Sequence, residues 1–143
     1  MAAIVLPLAL AALMPVRTAR TAALALAPWV PLPALGLALF GTPGVTLEVP
    51  WLLLGARLGL DATARVFLFF TAALWLSAGI YARAYLAADP RRTRFSGFFL
   101  LTFGGNVGLI LAQDVASFYL FFALMTFAAY GLVVHEDSAA ARR

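Results

Sequence analysis

Few side chains in this sequence can do chemistry. There is one histidine, His135, and there are six acids: Glu48, Asp61, Asp89, Asp114, Glu136 and Asp137. All ten basic residues are arginines, and cysteine is absent. That excludes disulfides, iron–sulfur clusters, thiolate metal sites and cysteine nucleophiles. His135, Glu136 and Asp137 adjoin, but one imidazole beside two carboxylates does not make a metal site. No catalytic, cofactor-binding or metal-ligating residue is assigned. The remaining candidates suit a polar path or helix contacts within a membrane: Asn106, Thr126, Tyr130 and His135. Asn106 either holds water in a hydrophilic path or bonds a neighbouring helix. Thr126 and Tyr130 are four apart and share a helical face. They either line a polar cavity, or bond back to their own helix and reach the interface. His135 is either a proton-entry residue at the inner surface or an exposed histidine whose partial charge suits a helix C-terminus. Gly104 and Gly108 form a small-xxx-small pair that lets another helix approach closely.

The elements that must position these residues follow from composition. Of the 143 residues, 64% are hydrophobic and 11% charged, and mean hydropathy is +0.98. A soluble domain of this length buries only about two-thirds of its unfolded-chain surface and could not hide so much apolar area. An ordinary soluble domain, a disordered chain and a nucleic-acid binder are excluded. The sequence pI is 10.4, yet the net charge is only +4 and the arginines are scattered.

The sequence predicts an all-α polytopic bundle of about five spans, forming a single transmembrane domain over 1–143. The spans fall at about 2–16, 21–40, 62–87, 95–112 and 116–134, with an extended outer segment at 41–61. The first stretch is short, at about 22 Å against a hydrocarbon core of about 30 Å. No arginine precedes it, which argues against a signal peptide. Pro28, Pro31 and Pro33 should kink the second span. Val45 to Val49 alternates apolar and polar residues, a strand signal that points to a hairpin-like segment. Trp51 would sit at headgroup depth. Asp61 is the expected N-cap of the third span, and Arg83 is expected to snorkel to the inner headgroups. With the N-terminus outside, eight arginines fall on inner segments and two, Arg57 and Arg65, on outer ones. The positive-inside rule then gives a cytoplasmic C-terminus in a bacterial inner membrane.

The fourth and fifth spans add a resemblance. Gly108–Asp114, followed by Phe118–His135, resembles the proton-conducting antiporter-like subunits of respiratory complex I, membrane-bound hydrogenases and multisubunit cation/proton antiporters. Leu58–Asp61 and the arginine turn before the fourth span are similar to them too. The resemblance covers most of this chain but only the N-terminal part of such a subunit. It implies a membrane-arm subunit, or a split or truncated form of one, that scaffolds a half-channel while redox chemistry runs in partner subunits. Two departures stand out. The family's path lysines lie on later helices, and this sequence has no lysine. Where many members carry a Trp-Glu pair in the fifth span, Phe122 and Ala123 stand here. The expected partners are the lipid bilayer and other membrane subunits, with no cofactor and no nucleic acid. Two further readings stay open: a small non-transporting membrane scaffold or assembly subunit, and the membrane energising subunit of an inorganic-carbon uptake complex.

Overall fold

The computed structural model describes residues 1–50 and 55–134. The expectations for Trp51 and His135 lie outside the described residues. The described residues are 75% helical and include a two-stranded sheet.

Helix α1 (Ala2–Leu13) is apolar throughout and carries Pro7 inside it. Its 12 residues reach only about 18 Å, so the first expected span is realised as a shorter helix. The next rod begins at Arg17. It consists of α2 (Arg17–Leu26), a 3₁₀ turn (Ala27–Trp29) and α3 (Leu32–Phe40). The break falls among the three prolines, which remove backbone donors and forbid a continuous ladder. A hairpin follows, with β1 (Val45–Val49) antiparallel to β2 (Ala56–Leu60) and Val45 paired with Leu60. Gly44 precedes β1 and Gly55 precedes β2, at φ +87° and +105°, a region that side chains with a Cβ rarely enter.

Asp61 then starts α4 (Ala62–Tyr85) by accepting the Ala64 amide at 2.6 Å. Helix α5 (Arg92–Leu111) and helix α6 (Val115–Val133) complete the chain. The rod Arg17–Phe40, α4, α5 and α6 are each long and apolar enough to cross a membrane. At 1.5 Å per residue, the 20 residues of α5 cover about 30 Å, the thickness of the hydrocarbon core. These are the dimensions of a multi-pass membrane protein.

Helix α5 is the centre of the bundle. Half of its apolar window is buried, against 22% for α4 and α6. Three glycines admit its neighbours. A Cβ on Gly104 would stand 2.8 Å from Leu8 of α1, and one on Gly105 would stand 2.8 Å from the Met125 backbone nitrogen of α6. A Cβ on Gly108 would collide with the Phe121 ring. On the other side of α5, Trp75 of α4 meets the rings of Phe99 and Phe103 at centroid distances of 4.6 and 5.5 Å. Lipid tails are as apolar as leucine, so such close contacts, rather than burial from water, must hold the helices together.

Two glycine substitutions separate packing from propensity. Gly105→Ala pushes a methyl group against backbone, and overpacking of this kind costs about 1–3 kcal/mol. Gly36→Ala meets nothing within 4 Å and should stabilise α3 by about 0.5–1 kcal/mol, because alanine loses less entropy in a helix. Unfolding midpoints in detergent should therefore move in opposite directions for the two variants.

Candidate functional site

The charged side chains gather at the two ends of the bundle, where they satisfy backbone groups that the helices leave open. Because the helices alternate in direction, residues 41–61 and 112–114 meet at one end, and residues 14–20 and 83–94 at the other. The first end holds Arg57 and Arg65 with Glu48, Asp61 and Asp114. Among the described residues, the second holds Arg17, Arg20, Arg83, Arg91, Arg92 and Arg94 with one acid, Asp89.

Three arginines cap helix C-termini. Arg65 Nε donates to the Ala38 carbonyl at 2.7 Å and its Nη2 to Leu39 at 2.8 Å, closing α3 from the first turn of α4. Arg20 Nε donates to Met14 at 3.0 Å, behind α1. Arg92 Nη1 reaches Ala87 at 3.3 Å, behind α4. Each puts a cation where a helix carries partial negative charge. The Arg57–Glu48 pair, opposite one another in the hairpin, is 3.5 Å apart and more than half exposed. Pairs this exposed contribute little.

Asp114 does more than its place in a short turn suggested. Its Oδ1 accepts the Ser117 amide at 2.8 Å and caps α6, while its Oδ2 accepts the Arg57 amide at 2.8 Å from the hairpin. The Gln113 amide also donates to Arg57 O at 2.8 Å, and Leu58 bridges to Ala112. The α5–α6 turn thus lies as an extra edge along β2. The Ser117 hydroxyl and amide, with the Arg57 amide, lower the Asp114 carboxyl from 3.8 to about 2. An Asp before an apolar run and three residues ahead of Ser117 carried the capping signal in sequence. The second bond spans 57 residues and has no sequence signature.

The polar candidates are dispersed. Asn106 is half-buried on α5, turned away from the Gly104 and Gly108 contacts, and its amide has no hydrogen-bond partner among the described residues. Thr126 donates back to the Phe122 carbonyl of its own helix at 2.8 Å, and Tyr130 is 63% exposed. Both lie opposite the α6 face that buries Phe121, Ala128 and Gly131. No hydrogen bond joins either to Asn106. Gly104 and Gly108 serve two partners rather than one, α1 and α6 respectively. Arg83 stands in the last turn of α4. Among the described residues, no group of three His, Asp or Glu could hold a metal ion.

The depressed Asp114 carboxyl gives a signed pH dependence. A carboxylate with a lower folded than unfolded pKa contributes stability above the unfolded value and loses it as pH falls through the folded one. Protection of the Arg57 and Ser117 amides from hydrogen exchange should therefore be constant above about pH 4 and fall toward about pH 2. Asp114→Ala should remove most of that protection already at neutral pH.

Compared with known proteins, the chain matches no protein-family model, and no curated protein is similar enough to count as a relative.

Proposed function

We propose that this chain is a membrane-arm subunit, or the N-terminal segment of one, in a complex I-like or hydrogenase-like proton-translocating assembly, where it acts mainly as scaffold. The carrying observation is the distribution of ionisable groups. Every described Arg, Asp and Glu lies within about a turn of a helix end or in a connecting segment. Proton relays normally mark themselves by ionisable residues inside the membrane. Asn106 and Thr126 offer a neutral amide and a neutral hydroxyl, which can hold a hydrogen bond but not a charge, so the chain contributes shape and helix contacts. The resemblance of Gly108–His135 to antiporter-like subunits supports the choice of assembly.

A second reading, a non-transporting scaffold or assembly subunit outside any proton pump, draws on a separate observation. Thr126 is bonded to its own helix and Tyr130 faces outward, so the two do not extend a polar path from Asn106. Either way, Asn106 and the apolar outer faces of α4 and α6 suit contact with other membrane subunits. Phe67, Leu74 and Phe127 are each more than 60% exposed there. The arginine-rich end belongs in the cytoplasm under the positive-inside rule, which places the N-terminus outside a bacterial inner membrane.

Two measurements test this. Topology reporters fused after Pro90 should read cytoplasmic and one after Gly44 periplasmic; an external signal at Pro90 overturns the orientation. The chain reconstituted in liposomes should dissipate an imposed pH gradient no faster than protein-free vesicles. Faster dissipation that Asn106→Leu abolishes would mean a working path and would overturn the scaffold reading.

A further inference from the structure

The arginine end contains a recess that helix packing leaves open. Helix α4 packs mainly against the 3₁₀ turn and α3, so α2 diverges from it toward this end. The 3₁₀ turn and α4 come close at Gly79, where a Cβ would stand 3.1 Å from Pro28 Cα and 3.5 Å from the Phe99 ring. Beyond that contact, α2, the last turns of α4 and the first turns of α5 enclose a cavity of about 250 Å³.

The cavity is chemically two-sided. Its floor is apolar, formed by Leu24, Pro28 and Phe99, while Arg83, Arg92 and Ser96 line it from α4 and α5. No acidic residue lines it among the described residues. The Arg83 guanidinium makes no hydrogen bond or ion pair among the described residues. Arg92 uses one nitrogen on the Ala87 carbonyl. Two cations with most of their donors unused therefore stand together at the boundary of the apolar zone. A guanidinium fork matches the oxygens of a phosphate group. Basic pockets between membrane helices suit anionic headgroups for this reason. The floor calls for a second component: a bare anion would leave Leu24, Pro28 and Phe99 uncovered, whereas a lipid brings its own hydrocarbon.

We propose that this recess binds an anionic phospholipid, with its phosphate between Arg83 and Arg92 and the start of an acyl chain on Leu24, Pro28 and Phe99. The inference needs only that the helices lie in a bilayer; it does not depend on which assembly the chain joins. Bound there, the lipid would fill the gap between α2 and α4 and fix the angle of the proline-broken rod.

The test is native mass spectrometry of the full chain, titrated with phosphatidylglycerol, with phosphatidylcholine of the same acyl chains, and with inorganic phosphate. Phosphatidylglycerol should half-saturate at about tenfold lower concentration than phosphatidylcholine, as charge-assisted recognition implies. Arg83→Gln with Arg92→Gln should erase that preference. Arg83→Gln alone, which breaks no bond among the described residues, should reduce it by about threefold. Arg17→Gln removes a charge at the same end but outside the recess and should change binding by less than about twofold. Ala82→Phe, which fills the cavity without altering charge, should also weaken phosphatidylglycerol binding. Millimolar phosphate should not displace the lipid. Four outcomes each overturn the proposal: an unchanged preference in Arg83→Gln, an equal loss in Arg17→Gln, unchanged binding in Ala82→Phe, or displacement by free phosphate, which would mark a simple anion site.

Discussion

Inside a bilayer there is no water to satisfy a backbone amide or carbonyl, and each unsatisfied group costs several kcal/mol. Helices meet this requirement along their length but leave open groups at both ends. Here charged side chains close many of those ends. Asp61 and Asp114 cap the starts of α4 and α6. Arg20, Arg65 and Arg92 take carbonyls behind α1, α3 and α4. The small stock of charge is thereby committed to the two boundaries of the apolar zone. The middle of the described bundle is left without an Arg, Asp or Glu.

With charge confined to the ends, cohesion at mid-depth must come from close contact. Helix α5 supplies it through Gly104, Gly105 and Gly108, which bring α1 and α6 near its axis, and through the Trp75 rings on the opposite side. The short α1 is useful in this frame. Twelve residues fall short of the membrane thickness, yet they suffice to pack along α5 and over Gly104. The hairpin then ties the far end together, because β2 holds the α5–α6 turn through Leu58, Arg57 and Asp114. What remains unpartnered is also informative: the outer faces of α4 and α6, and the single amide of Asn106.

Much of this architecture was legible locally. Long apolar runs gave the spans, the prolines at 28, 31 and 33 gave the broken rod, the alternation at Val45–Val49 gave a strand, and Asp61 gave a cap. Each signal acts within a few residues of its effect. The interactions that fasten the bundle were not legible, because they join residues far apart in the chain. Arg65 reads as one exposed charge in a span until Ala38 and Leu39 are placed beside it. Asp114 reads as a turn residue until the hairpin arrives from 57 positions away. The glycines announced close packing, but not that Gly104 and Gly108 would serve different helices. The second span begins at Arg17 rather than 21 because the arginine side chains can lie at the boundary while their backbone is already helical. The polar path was the least legible, since a shared face on α6 says nothing about whether that face turns toward Asn106.

A bundle whose described charges are committed to its ends should be closed to water at its middle. The absence of cysteine makes single-site labelling direct. Asn106→Cys, Thr126→Cys and Arg94→Cys, in otherwise unchanged protein in sealed vesicles, can be exposed to a membrane-impermeant thiol reagent from either side. Arg94→Cys should react from one side only, and the other two from neither. Reaction at Asn106→Cys at a rate comparable to Arg94→Cys would show water at mid-depth and contradict the account.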